Sequence, residues 1–328
     1  MGLGERSRGC EVMHGLLRVV DWIPMCARKM HAAEIDTDAS LVRRLLAAQF
    51  PHWADLSIER VRSGGTDNAI YRLGDDMCVR LPRIEWAIAA VEKEQQWLPR
   101  LAPHLPLAIP VPLAKGIPAE SYPWHWSVCR WLPGENAIVE RFADLCQAAT
   151  ALAKFVAALQ RIDTTGGPRP GAHNFGRGVP LPLRDADTRA AIAKLNDVLD
   201  TDAVTAAWDE ASDAPAWEGP PVWIHGDLHA GNLLVDHGHL SAVIDFSGLG
   251  VGDPACDFAA AWMLFSNESR DAFRAALSID DASWARSRGW ALSTGLIALP
   301  YYLDSNPVII AMARHQIDEV LADRKRTC

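Results

Sequence analysis

The segment at residues 222–262, VWIHGDLHAGNLLVDHGHLSAVIDFSGLGVGDPACDFAAAW, carries most of the information about the fold. Its short apolar runs predict strands, and its polar side chains stand at the ends of those runs or in the turns between them. His225, Asp227 and Asn232 are spaced as H-x-D-x-x-x-x-N, and Asp245 follows another apolar run eighteen residues after Asp227. Burying polar groups among such flanks is costly, so we expect them to serve a common site.

Two carboxylates and an amide in one place suit phosphoryl transfer. A carboxylate can orient an acceptor hydroxyl and accept its proton, and hard oxygen ligands can hold Mg²⁺ against phosphate charge. The spacing repeats that of a protein-kinase catalytic loop, and Asp245-Phe246 stands where the metal-binding Asp-Phe pair of kinases would follow.

With these motifs, the chain resembles the aminoglycoside phosphotransferase family of the kinase-like superfamily. The resemblance rests on HGDxxxxN at 225–232, IDF at 244–246 and GDPxxD at 252–257. It extends upstream through SGGTDN, VRLP and WLPG and covers about residues 38–328. It implies an α+β, bilobal protein-kinase-like fold, with an antiparallel sheet plus helix in a small N-lobe and a larger, mainly helical C-lobe.

The resemblance also implies roles for single residues. Asp227 is expected to be the catalytic base, and Asn232 and Asp245 are expected to bind magnesium. In the N-lobe, Arg80 on the third strand would reach the nucleotide phosphates. A carboxylate of the following helix would hold it, either Glu94 or, as the alternative, Glu92. The expected nucleotide-binding residues are Ser63, Gly64, Gly65, Arg80, Glu94, Cys129 and Trp131.

The sequence departs from the protein-kinase pattern at three points. The loop reads SGGTDN instead of GxGxxG, DFS replaces DFG, and arginine stands at position 80 where many kinases have lysine. A guanidinium keeps the charge and can bridge phosphate oxygens and a carboxylate. We expect His225 to brace the loop by hydrogen bonding and Asp253 and Asp257 to tie the following helix to it, while the role of His229 is left open.

Local patterns divide the chain. Asp38 can cap a helix with an apolar stripe, and short strands joined by turns follow it. A second helix is predicted at 86–101, and two extended stretches are predicted at 113–117 and 124–131. Pro133-Gly134 marks a change to a mainly helical pattern. We expect an N-terminal extension, disordered or due to a mis-assigned start, at 1–36, a nucleotide-binding N-lobe at 37–132 and a catalytic, acceptor-binding C-lobe at 133–328.

Composition narrows the class of protein. With 32 basic and 41 acidic residues the net charge is −9, which argues against nucleic-acid binding. No apolar run approaches the roughly 18 residues of a membrane span. Seven cysteines without a C-x-x-C pair favour a reducing compartment, so we expect a cytoplasmic protein with no membrane contact and no obligate protein partner.

The sequence thus predicts a kinase that transfers the γ-phosphate of ATP, with GTP as the alternative, to a hydroxyl of a cationic, aminoglycoside-like antibiotic, and so a resistance enzyme. A macrolide or an ordinary hydroxylated metabolite is the alternative acceptor. Two other classes are a nucleotide-binding module without catalysis and a metal hydrolase built on clustered histidines. Acidic residues that could hold a polycation are Glu268, Asp271 and Asp304, and the clustered histidines are His225, His229, His237 and His239.

Overall fold

The computed structural model describes residues 34–61, 67–138, 141–303 and 305–327. It is an α+β structure in which a five-stranded antiparallel sheet precedes a mainly helical part with two small sheets. This architecture is the one that the sequence predicts. Most of the expected N-terminal extension, up to residue 33, lies outside the described residues. Ile35 is described, and its N–H donates to the carbonyl of Arg83.

The first helix, α1 (Ala39–Gln49), begins where the sequence predicts. The Asp38 carboxylate accepts a hydrogen bond of 2.7 Å from the N–H of Leu41 and so satisfies a free donor at the helix start. Its buried stripe packs on the sheet. The strands are β1 (Ile58–Arg60), β2 (Asn68–Leu73), β3 (Met77–Pro82), β4 (Pro112–Gly116) and β5 (Trp126–Arg130), in the order β1-β2-β3-β5-β4.

Helix α2 (Ile88–Leu101) lies between β3 and β4 in the chain and joins the two parts of the molecule. Its residues Trp97, Leu98 and Leu101 belong to the larger hydrophobic cluster, which is formed mainly by the helical part. The ring centroids of Trp97 and Trp223 are 4.7 Å apart. The helix is therefore fastened to the helical part by apolar packing as well as being connected to the sheet.

The helical part contains two small sheets that carry the conspicuous motifs. One pairs β7 (Val222–Ile224) with β10 (Gly250–Gly252), and the other has the order β6 (Glu135–Asn136), β8 (Leu233–Asp236), β9 (His239–Val243). The helices are α3 (Leu145–Gln160), α4 (Asp185–Ala193), α5 (Thr201–Ser212), α6 (Ala255–Phe258), α7 (Ala260–Leu264), α8 (Asn267–Leu277), α9 (Asp281–Tyr302) and α10 (Pro307–Thr327).

None of the helices within the described ranges is long and apolar enough to cross a membrane.

The close packing of β4 on β5 yields a test of the sheet. A Cβ added to Gly116 would lie 1.9 Å from the indole ring of the fully buried Trp126. We expect Gly116→Ala to lower the free energy of unfolding by about 1–3 kcal/mol, because the ring has no room to move. Urea denaturation measures this, with Gly171→Ala as control, since its nearest atom would be 3.7 Å away. Equal stability of the two variants would contradict the packing.

Candidate active site

The loop after β7 is shaped by a buried carboxylate from α6. Asp257 accepts hydrogen bonds of 2.7 Å from the N–H of His225 and from the N–H of Gly226, one on each oxygen. Gly226 has φ +82°, and a Cβ there would lie 2.4 Å from the carbonyl oxygen of Gly248. Only glycine fits this turn, because both the backbone conformation and the close approach exclude a side chain.

His225 is a buried brace between two segments of the site. Its Nε2 lies 3.1 Å from the carbonyl oxygen of Ile244, and its Nδ1 accepts a hydrogen bond of 3.2 Å from the N–H of Asp227. Burial lowers the pKa of His225 to about 4, so the ring is neutral and carries its proton on Nε2. This agrees with the bracing role expected from the sequence.

The Asp227 side chain is one-third exposed and is surrounded by donors. The Asn232 amide donates to its backbone carbonyl (2.9 Å) and to Oδ2 (3.1 Å), and Arg177 Nη2 lies 3.5 Å from Oδ1. Burial would raise the pKa of this carboxyl, but the contact with His229 and the charge of Arg177 outweigh it and hold the pKa below its ordinary value. Asp227 is therefore ionised.

His229, whose role the sequence left open, contacts the same carboxylate. Its Nδ1 accepts a hydrogen bond of 3.0 Å from the N–H of Gly231, which leaves the proton on Nε2, 3.3 Å from Oδ2 of Asp227. Burial alone would lower the pKa of His229, but the Asp227 charge raises it above its ordinary value. Oδ2 thus faces His229 and Asn232, whereas the contact of Oδ1 with a described residue is the long one with Arg177.

The two residues expected to bind magnesium are brought side by side. The N–H of Ile244 donates to the carbonyl of Asn232 (2.9 Å), so the backbone at Asp245 runs next to that at Asn232. Because the hydrogen bonds of Asn232 to Asp227 use Nδ2, Oδ1 can act as a ligand. Asp245 has φ +61° and accepts a hydrogen bond of 3.2 Å from the N–H of Ser247. A carboxylate and an amide oxygen are ligands that suit Mg²⁺.

Arg80 and Glu94 form the pair that the sequence predicts. Arg80 Nη1 donates to Glu94 Oε2 at 2.7 Å, and only 11% and 4% of these side chains is exposed. Burial would lower the pKa of Arg80, but Glu94 and then Asp245 raise it, so the guanidinium stays charged. Glu92, the alternative partner, instead pairs with Lys115 on the surface.

The other expected nucleotide-binding residues are less informative. Cys129 is buried near the end of β5, where it lies opposite Cys78 of β3 in the sheet register. Trp131 follows in the connection to the helical part. The N–H of Trp131 donates to the carbonyl of Asp76 (2.7 Å) and is thus engaged within the protein. Ser63, Gly64 and Gly65 lie outside the described residues.

Lys93 is a buried residue of the site that the sequence analysis did not single out. Its Nζ donates to the carbonyl oxygens of Ser247 (2.6 Å) and His173 (3.3 Å), so it joins α2 to the segment that follows Asp245. Burial lowers the pKa of Lys93 to about 8. In sequence it stands between two glutamates on a helix, which is typical of an exposed face, so no local signal reveals the contact.

The histidine cluster of the hydrolase hypothesis does not assemble. Among the described residues, no group of three or more His, Cys, Asp or Glu side chains could hold a metal ion. The side chain of His237 is 94% exposed, and both ring nitrogens of His225 contact backbone groups.

Comparison with known proteins places these residues in a family context. A family model described as "Phosphotransferase enzyme family" matches residues 58–290. The GDP and kanamycin complex of APH(2")-IIia has 19% identity and a TM-score of 0.68, covering 86% of this chain and 98% of that one. A macrolide 2'-phosphotransferase type I has 20% identity and a TM-score of 0.60, covering 87% and 98%. The apoenzyme of a macrolide 2'-phosphotransferase from Brachybacterium faecium has 23% identity and a TM-score of 0.57, covering 86% and 98%. No curated protein matches the chain.

The two ring nitrogens of His229 can be tested separately. Asparagine can replace Nδ1 as the acceptor for Gly231 but cannot reach Asp227, whereas glutamine can place an N–H near the position of Nε2. If the contact with Oδ2 orients the carboxylate, His229→Asn should lower the rate of nucleotide turnover about tenfold, and His229→Gln should retain more of it. Steady-state ADP formation measures both rates. Turnover by His229→Asn equal to or above that of His229→Gln would contradict the orienting role.

Proposed function

This chain belongs to the phosphotransferase enzyme family, and on this premise we propose that it is a kinase that transfers the γ-phosphate of ATP to a hydroxyl of a small molecule. The observation that carries the proposal is the ionised Asp227 carboxylate, which has a lightly engaged Oδ1, beside Asn232 and Asp245. That arrangement joins a proton acceptor to oxygen ligands for a nucleotide-bound cation.

In the proposed reaction, the acceptor hydroxyl docks against Oδ1 of Asp227. The hydroxyl oxygen forms a bond to the γ-phosphorus while the bond from that phosphorus to the β–γ bridging oxygen breaks. The hydroxyl proton passes to Asp227, and ADP leaves with the electron pair of the broken bond. His229 and Asn232 hold Oδ2, so the carboxylate keeps one orientation while this happens.

On the nucleotide side, Asn232 Oδ1 and the Asp245 carboxylate would hold Mg²⁺, and Arg80 would contact the phosphates while Glu94 keeps it in place. When bound, Mg²⁺ supplies positive charge against the phosphate oxygens. Ser63, Gly64 and Gly65 are proposed to cover the phosphates, and the backbone around Cys129 and Trp131 to face the base. GTP remains the alternative donor, and the matched structures include GDP complexes.

The acceptor expected from the resemblance is an aminoglycoside-like antibiotic, with a macrolide or a hydroxylated metabolite as alternative. The matched structures include a kanamycin complex and macrolide phosphotransferases, so likeness of fold leaves these choices open. A coupled assay of ADP formation with purified protein, run against aminoglycosides, macrolides and small hydroxylated metabolites, tests the proposed activity. No nucleotide turnover with any acceptor, together with no binding of Mg·ATP, would overturn it.

Asp227→Asn tests the base. The change keeps the shape of the side chain but removes its ability to accept the proton, so we expect kcat to fall by about 10²–10⁴-fold. The dissociation constant for Mg·ATP should change less than about threefold, because the carboxylate acts on the acceptor. Asp236→Asn, at the half-exposed end of β8, is the matched control. Turnover of Asp227→Asn within about threefold of wild type would remove Asp227 from this role.

The metal ligands are tested by magnesium titration. We expect Asp245→Ala and Asn232→Ala each to raise the Mg²⁺ concentration for half-maximal turnover about tenfold or more, because each removes one oxygen ligand. Zinc should not replace magnesium in wild type. Stoichiometric zinc in the purified protein that is lost in His229→Ala would instead favour the hydrolase hypothesis.

A further inference from the structure

Arg177 lies beside the proposed base with most of its donors free. Its Nη2 is 3.5 Å from Asp227 Oδ1, a long contact, and 19% of the side chain is exposed. Within the described part of the chain its guanidinium makes no other hydrogen bond or ion pair. A guanidinium has five N–H donors arranged to grip planar or tetrahedral oxyanions. Arg177 is therefore charged, and most of its donors have no protein partner in the described part of the chain.

A second arginine on the same loop adds to the positive charge. Arg184 donates from Nε to Ser293 Oγ (2.9 Å), and its guanidinium lies 4.8 Å from the ring centroid of Trp290. No described carboxylate lies within 4 Å of it. Burial and, after it, the charge of Arg177 lower the pKa of Arg184 to about 10. The charges of the two guanidiniums thus act on each other, and Asp227 is the one carboxylate among the described residues that contacts either of them.

The occupancy of the two oxygens of Asp227 indicates where a ligand enters. Oδ2 is engaged by His229 and Asn232, so an acceptor hydroxyl can approach only Oδ1, on the side where Arg177 lies. A hydroxyl that donates to Oδ1 brings its neighbouring group next to the Arg177 guanidinium, which lies 3.5 Å from that oxygen. A negatively charged group there would satisfy the guanidinium and relieve the repulsion with Arg184.

We propose that Arg177, supported by the charge of Arg184, forms an oxyanion-binding site beside Asp227; this inference rests on the proposed function. The oxyanion is either the phosphoryl group in transit or an acidic group of the acceptor, since both present negatively charged oxygens at this point. In either case, an amino group next to the reacting hydroxyl is disfavoured by the two arginines.

The acidic residues that could hold a polycation do not offset this charge. Helix α8, which carries Glu268 and Asp271, packs against α3 and α7. The pKa of Cys146 is raised by burial, then by the charge of Asp144 and then by that of Glu268. Glu268 therefore lies on the side of the N-terminal end of α3, where Cys146 stands. Asp304 lies outside the described residues. Among the described residues, the charged side chain that contacts Oδ1 is therefore that of Arg177.

Equilibrium dialysis with radiolabelled inorganic phosphate tests the site. It is run on protein saturated with Mg·ADP, which leaves the γ-position empty, and on protein saturated with the non-hydrolysable Mg·AMP-PNP, which fills it. The variants are Arg177→Gln, which removes the charge, and Arg177→Lys, which keeps the charge but lacks the planar set of N–H donors. Arg189→Gln is the control, because Arg189 is half-exposed and pairs with Asp185 and Asp209.

We expect phosphate to bind wild type, and Arg177→Gln to raise its dissociation constant at least about tenfold, with Arg177→Lys intermediate and Arg189→Gln unchanged. Binding to the ADP complex alone identifies the phosphoryl group in transit as the ligand. Binding to both complexes identifies an acidic acceptor group. Phosphate affinity of Arg177→Gln within twofold of wild type, or no binding to wild type in either complex, overturns the site.

A failure of the proposed function can be told apart from a failure of the oxyanion-binding site. Protein that binds neither nucleotide is not a nucleotide-dependent kinase, and phosphate titration of that nucleotide-free protein with the same variants still decides whether Arg177 binds an oxyanion. Thermal melting of each variant checks that it is folded.

Discussion

The site depends on one buried carboxylate, Asp257, which accepts the N–H groups of two consecutive residues, His225 and Gly226. These N–H groups are buried where the strand ends, and leaving them without partners would cost about 1–3 kcal/mol each. Burial raises the pKa of Asp257 to about 7, and the two donors act against that rise by favouring the ionised form. A short helix thus fixes the turn from which the loop starts.

The spacing of the motif follows from that turn. With Gly226 at φ +82°, the chain reverses so that the ring of His225 points inward to Ile244, while Asp227 emerges at the surface. Asn232 then returns to the same place, where its amide contacts both the backbone and the side chain of Asp227. Four intervening residues supply the length for this return, so H-x-D-x-x-x-x-N describes a closed ring of hydrogen bonds.

The sequence could predict whatever depends on neighbours in the chain. The cap at Asp38, the strand pattern and polar residues behind apolar runs are local signals. The Arg80–Glu94 pair follows from a basic residue on the strand after the Gly-rich turn and a carboxylate near the middle of the next helix. Arg177 meets Asp227 across 50 residues, and Lys93 meets Ser247 across 154. Neither contact has a local pattern, and strands as short as β6 and β10 are defined only by their partners.

The charge around Asp227 bears on how it would act in this phosphotransferase. Because His229 and Arg177 hold its pKa below the ordinary value, the carboxylate is a weak base toward an alcohol in the ground state. Its proposed contribution before transfer is therefore to orient the hydroxyl, held by the contacts at Oδ2. Bond formation to phosphorus makes the hydroxyl far more acidic, and only then does proton transfer to a weak base become favourable. The arrangement suits a loose transition state, in which the attacking oxygen needs positioning more than early deprotonation.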